Sequence, residues 1–220
     1  AMGLPHRPSR EICPSEICSN SLGEASLGGW PSGLEETAQP EAARKLMAEA
    51  GFDAKRAPPP LTLRYFNRPA IQELATWLQA QWKKNLGLDV KLDGVEPKVY
   101  WTMLGRKPTA LFVNSKGASY PDPDAFFRLF AGKNSQNLGR WSDTDYDGWV
   151  SEAARQSDTA ARLKSYRQAS RRALSEHPAL IPLYFRSTGY LIKPFVKNLA
   201  IDPLSGVDFS RVEYPPTVRR

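Results

Sequence analysis

At 220 residues, with 41% hydrophobic and 24% charged side chains, the chain can bury roughly 70% of its unfolded surface as a globular protein and needs no metal or disulfide staple to do so. Its formal net charge of +7 is spread along the sequence rather than gathered in a basic block, which argues against a nucleic-acid-binding tract. No apolar run approaches the roughly 18 residues of a membrane span, no signal-peptide pattern stands at the start, and the opening Ala1-Met2-Gly3 reads as a cloning remnant.

Residues 1–9 read as a tag or disordered start, and 10–39, rich in Gly, Ser, Pro and Glu, as a linker with a short helical piece around "REICPSEIC", broken by Pro14. Cys13 and Cys18 are spaced neither as a redox pair nor as half of a zinc site; one disulfide in an oxidising compartment and two plain small residues both remain open. From residue 40 to 214 the pattern is that of one folded lobe, with 215–220 as a tail. "PEAARKLMAEAGF" has Pro40 at a helix start, Gly51 past its end, and Ala43, Leu46, Met47 and Ala50 at helical spacing. The alternating "LTLRYF" predicts a strand, and "PAIQELATWLQAQWKKNLG" a helix with Ile71, Leu74, Leu78 and Trp82 on one face. "LDVKL" predicts the next strand, residues 97–106 a helix, and "TALFV" a buried strand, an alternation that points to an α/β sheet layer.

The loop "KGASYPDPDAFF" follows that last strand, where open α/β sheets place their ligand contacts. After it come a helix with Phe126, Phe127 and Phe130 inward, capped by Asp122 or Asp124, and one with Tyr146, Trp149, Val150 and Ala153 inward. The next, "TAARLKSYRQASRRALSEH", has Leu163, Tyr166 and Ala173 inward and Lys164, Arg167, Arg171 and Arg172 on a solvated outer face, and stops at Pro178. "ALIPLYF" and "GYLIK" read as strands.

The residues offer no enzyme chemistry. Of two histidines, His6 lies in the irregular start and His177 reads as a cap at a helix C-terminus. There is no nucleophile elbow, no glycine-rich phosphate loop and no His/Cys metal set. Asp143, Asp145 and Asp147 open like an EF-hand, but its twelfth position is Ala154, so they read as acids at a helix entry. The expectation is a non-enzymatic protein without a cofactor.

In order, "PEAARKLMAEAGF", "LTLRYFNR", "LQAQWKKNLGLDVKL", "SYPDPDAFF", "GRWSDTDYDGWV", "YRQASRRALSEHPALIPLYF" and "KNLAIDPLSGVDFSRVEY" resemble the C-terminal lobe of family 5 extracellular solute-binding proteins, the peptide-binding components of ABC importers. "GGWPSGLEE" is similar to that family's linker into the lobe. The resemblance implies a periplasmic-binding-protein type II-like α/β lobe, a mixed sheet flanked by helices. It also implies that a larger N-terminal lobe is missing, that the setting is periplasmic or outside the cell membrane, and that the partners are a peptide or small solute and a membrane permease.

In relatives the segment similar to "GASYPDP" carries an Asp that pairs with the ligand's amino terminus; here Ser119 stands in its place, and Lys116 or Gly117 replaces a tryptophan shortly before it. The resemblance therefore makes Asn114, Lys116, Ser119, Tyr120 and Asp122 candidate ligand-binding residues. Arg186 in "PLYFR" and Arg68 after "LTLRYF" join them in a cationic half-cleft suited to an anionic ligand. The terminal strand "DFSRVEY" is expected to return to the missing lobe, leaving an edge on which two copies could form a homodimer. The alternatives are the sensing module of a transcription regulator and, further off, a basic nucleic-acid binder.

Overall fold

The computed structural model describes residues 7–9, 11–14, 17–19, 27, 40–53, 56–106, 109–186, 188–202, 204 and 206–214. In chain order the elements are β1 (Arg7–Pro8), α1 (Pro40–Glu49), β2 (Leu61–Phe66), α2 (Pro69–Leu86), β3 (Val90–Val95), α3 (Pro97–Arg106), β4 (Leu111–Phe112), α4 (Asp124–Phe127), α5 (Thr144–Arg155), α6 (Thr159–Arg171), β5 (Tyr184–Phe185), β6 (Ala200–Ile201) and β7 (Val207–Asp208). The chain divides into two compact units. One, the sheet unit, comprises Pro31–Lys116 and Leu138–Arg140; the other, the helical unit, comprises Ala1–Trp30, Gly117–Asn137 and Trp141–Arg220. His6, the loop "GGWPSGLEE" and the tail 215–220 lie outside the described residues.

In the sheet unit three parallel strands pair in the order β3-β2-β4, with Leu63 opposite both Leu92 and Leu111. Parallel neighbours need crossover helices, and α2 and α3 supply them. Leu63, Tyr65 and Val90 are buried on the strands, and Leu74, Ala75 and Leu78 of α2 and Tyr100 and Leu104 of α3 are buried with them. Helix α2 begins with Pro69 in its first turn and ends at Gly87, whose φ of 69° lets its N–H reach the Lys83 carbonyl while Leu88 N–H reaches that of Trp82. Gln79 Nε2 then donates to the Val90 carbonyl at 2.7 Å, fixing the helix to β3. On the ladder, Arg64 Nε and Asp93 Oδ2 meet at 2.8 Å as directly opposed residues. Helix α1 departs from expectation: none of its residues is buried, and Leu46 is 55% exposed.

The helical unit has an aromatic core. Phe126, Phe127, Tyr146, Val150, Ala153, Tyr166, Ala169 and Leu174 are buried together, with Trp149 and Phe130 packed partly against them. Tyr166 lies 4.8 Å from the Phe127 ring, and the Tyr146 hydroxyl donates to the Phe127 carbonyl at 2.7 Å. Cys13 and Cys18, fully buried in the same cluster, form a disulfide, which resolves the choice that their spacing left open.

Asp143 caps α5 by accepting from Tyr146 N–H at 3.0 Å, as the acidic helix entry implies. It also receives Arg172 Nε at 2.7 Å and His177 Nδ1 at 2.9 Å, so His177 sits at the helix end with a carboxylate partner. Arg172 is thereby a correction: it belongs to this network and not to the solvated face of Lys164, Arg167 and Arg171. Burial alone would raise the Asp143 carboxyl, but the bonds from Tyr146 N–H, His177 and Arg172 hold it down at about 2.

Helix α6 is capped by Asp158 and runs on as a π-helical turn, Arg172–Glu176, before Pro178. The tail also corrects one expectation. In "GYLIK" no strand forms among the described residues, and Tyr190, Leu191 and Ile192 are exposed. The terminal segment is paired locally: Val207 and Asp208 pair antiparallel with Ile201 and Ala200, and Glu213 bridges Lys197.

Candidate ligand-binding site

In the sheet unit the chain steps from β2 to its neighbour β3 on one side and then crosses to β4 on the other. The crevice outside the carboxyl ends of β2 and β4 is thus a switch point, the place where open α/β sheets take their ligands. Val113 N–H still donates to the Arg64 carbonyl one residue past β4, so Asn114 leaves the sheet beside the end of β2. Three of the residues singled out in the sequence arrive here.

Arg68 is exposed at the start of α2 and makes no side-chain cap; its guanidinium lies over the Phe66 ring, 5.7 Å from the centroid. Asn114 is partly buried, and its Oδ1 is shielded from solvent without a hydrogen-bond partner. Lys116 is half-buried, and the loss of hydration lowers its pKa.

Two further residues at this end are invisible to a motif search. Phe66 stacks on Trp101 with centroids 6.4 Å apart, and Trp101 of α3 is nonetheless 47% exposed. Beneath them Tyr100 is fully buried and donates its hydroxyl to the Val113 carbonyl; burial pushes its pKa well up. The only sequence signal was the pairing of Tyr100 with Trp101, which helical geometry sends to different surroundings, one inward and one to the rim.

A groove of about 510 Å³ at the opposite, amino-terminal end of the strands is less suited to a ligand. Of its lining groups, Gln79 is engaged by the Val90 carbonyl and Lys83 by Asp89 at 2.7 Å.

The other four candidates belong to the helical unit. Ser119 is exposed. Tyr120, 37% exposed, donates to Asp124 Oδ2 at 2.5 Å; burial and then that bond push its pKa up to about 12. Asp122 accepts from Asp124 N–H at 2.9 Å and from Arg162 Nη2 at 2.9 and 3.1 Å, so its carboxylate is engaged in fixing the loop to α6. It serves the entry to α4 from outside the cap position, which Pro123 occupies. Arg186 is exposed directly after β5.

The family of bacterial extracellular solute-binding proteins, family 5 Middle, matches residues 19–137. The chain is 32% identical over 187 residues to the periplasmic murein peptide-binding protein MppA of Escherichia coli K12, covering 84% of this chain and 34% of MppA. It is 30% identical over 154 residues to the probable deoxycholate-binding periplasmic protein YgiS of the same organism, covering 68% of this chain and 27% of YgiS. The solved structure of the MppA murein tripeptide binding protein in its unliganded open form superposes with a TM-score of 0.76 at 28% identity, over 89% of this chain and 37% of that one. The chain therefore spans about a third of the length of the relatives it matches.

Proposed function

Because the chain belongs to the bacterial extracellular solute-binding proteins of family 5, we propose that it forms part of the ligand-binding body of an ABC importer's substrate-binding protein, taking peptides or related small solutes and delivering them to a membrane permease. The observation that carries this reading to particular residues is the switch point of the sheet unit. There the ends of β2 and β4 bring Arg68, Asn114 and Lys116 to the place where this class of sheet binds its ligands. Asn114 Oδ1 is the sharpest of these features, since a shielded acceptor without a donor costs stability unless a ligand N–H completes it. Ser119 and Arg186, both exposed, are the candidates on the helical unit.

The buried disulfide supports a setting outside the reducing cytoplasm, the periplasm or cell exterior, where such bonds persist. The reading involves no catalysis and no cofactor: the polar groups at the switch point can hold and orient a solute, and none forms a nucleophile and base pair.

Calorimetric titration of the natural full-length protein with short peptides tests the reading. Binding should be measurable, and Asn114→Ala should weaken it by about tenfold, the loss of one well-placed hydrogen bond. Unchanged affinity in Asn114→Ala would remove the switch point from the site. Failure of the wild-type protein to bind any peptide or co-purified solute would remove the function itself.

A further inference from the structure

We propose that Tyr120 is a positioning residue for ligand binding: anchored through its hydroxyl on Asp124, it holds in place the backbone that presents Ser119 before a ligand arrives. The proposal rests on the solute-binding reading, with Ser119 as its contact in the helical unit, and adds a residue that acts through that contact.

Ser119 is exposed between two fixed neighbours. On one side Ala118 packs against the aromatic core. On the other, Tyr120 is tied by side chain and backbone together: its hydroxyl donates to Asp124 Oδ2 at 2.5 Å, and its carbonyl accepts from Asp122 N–H at 2.9 Å. Both anchors are themselves held. Asp124 is 7% exposed at the start of α4, and its Oδ2 also receives Arg128 Nε at 2.8 Å from one turn on. Asp122 accepts from Asp124 N–H and, across 40 residues of chain, from Arg162 of α6. Pro121 and Pro123 fix φ on either side of Asp122. The segment from Tyr120 to Asp124 is therefore one ordered piece, and Ser119 stands at its beginning.

The hydroxyl of a tyrosine 37% exposed could take water as its partner; its bond to a buried carboxylate selects one ring position instead. That bond also decides what Tyr120 can do. A hydroxyl whose one proton is committed to Asp124 has none to offer a ligand, so its influence on binding passes through the backbone that it fixes. With its pKa pushed up to about 12 by burial and then by the Asp124 bond, it stays a donor throughout the neutral range. Ordering a loose loop around a ligand lowers affinity by the entropy it removes, and a loop ordered beforehand avoids that loss. Tyr146 of α5 is the contrasting case: its hydroxyl donates to the Phe127 carbonyl within the core, and α5 carries no candidate contact.

The experiment titrates the natural full-length protein and four variants with alanine peptides of about two to five residues by calorimetry, and compares them on the peptide that the wild type binds most tightly. Ser119→Ala should weaken binding about fivefold, the loss of one neutral hydrogen bond, and Tyr120→Phe about threefold. The double variant Ser119→Ala/Tyr120→Phe should bind no more weakly than Ser119→Ala alone, because the positioned group is then gone. Tyr146→Phe should lower the melting temperature and keep wild-type affinity. Wild-type affinity in Tyr120→Phe would overturn the proposal, and so would a loss of about threefold that persists in the Ser119→Ala background, since Tyr120 would then act on its own. Tyr146→Phe weakening binding as much as Tyr120→Phe would overturn it by tracing the loss to stability. An unchanged affinity in Ser119→Ala would overturn it while leaving the solute-binding reading in place; binding of none of the peptides by the wild type would overturn both.

Discussion

In the sheet unit, strands and crossover helices follow one another without interruption from Leu61 to Phe112, and each strand pairs with one separated from it by a single crossover or by two. The helical unit instead draws on three separate stretches of chain, and what joins them is a set of specific long-range contacts. Asp122 reaches Arg162 and the Tyr146 hydroxyl reaches the Phe127 carbonyl between the second and third stretches, β1 pairs with β5 between the first and third, and within the third Asp143 reaches Arg172 and His177. One unit is held by repeating backbone pairing and aliphatic burial, the other by a few buried aromatic and charged side chains. Single side chains should therefore matter more in the helical unit, and the two units can be told apart by mutation.

The largest effect is expected at Tyr166, fully buried against Phe127. Tyr166→Ala removes an aromatic ring from the centre of the core and should cost about 4 kcal/mol in denaturant unfolding. A loss below that of Leu63→Ala in the sheet unit would reverse the comparison.

Next comes Asp143, whose side chain is 3% exposed and serves cap, guanidinium and imidazole at once. Asp143→Ala removes the cap of α5 and one of three carboxylates around Arg172, and loss of the cap should cost about 2 kcal/mol. The same residue gives the helical unit an acid sensitivity. Its folded pKa of about 2 lies below the ordinary 3.8, so its contribution is complete above pH 3.8 and is lost as the pH falls toward 2. Melting temperatures followed from pH 5 to pH 2 should fall in the wild type by more than in Asp143→Asn; parallel curves would show that the carboxylate is not the titrating group.

In the sheet unit one backbone position that needs glycine is Gly87, with its φ of 69°. Gly87→Ala should destabilise by about 1 kcal/mol, and hydrogen exchange should quicken at the last turn of α2 before anywhere else. An unchanged melting temperature would mean that α2 ends without help from the left-handed residue. Smallest of all is the exposed Lys83–Asp89 pair, side chains 59% and 83% exposed. Asp89→Ala should shift stability by less than about 0.5 kcal/mol, and any shift should vanish in high salt.

The elements of the sheet unit were legible because each has a local signature: alternation in "LTLRYF", Pro69 and Gly87 bracketing α2, and the helical face of Leu74 and Leu78. Helix α1 shows the limit of that signature. Leu46 has the spacing of a buried residue and is exposed, since periodicity states which side is apolar and not whether anything covers it. "GYLIK" fails similarly: β-branched and aromatic residues suit a strand, but a strand exists only when another edge pairs with it.

The candidate site divides along the same line. Arg68, Asn114 and Lys116 could be placed from the sequence because they follow predicted strands, and strand ends are where an α/β sheet exposes its loops. Trp101 and Phe66 could not, because their stacking depends on how α3 lies over β2. Asp122 had both a turn role and a ligand role open to it, and the Arg162 bond that occupies its carboxylate spans forty residues of chain.

By itself, then, the sequence determined the order of strand and helix, the helix ends and the family resemblance, all of which rest on interactions between near neighbours or on motifs in fixed order. Tertiary structure alone decided the parallel order β3-β2-β4, the recruitment of Arg172 and His177 to Asp143, the disulfide within the aromatic core and the Phe66–Trp101 stack beneath Arg68. Apart from the disulfide, whose cysteines are five residues apart, those contacts join residues far apart along the chain, and the free energy of all of them depends on burial and geometry that exist only once the surrounding elements have packed.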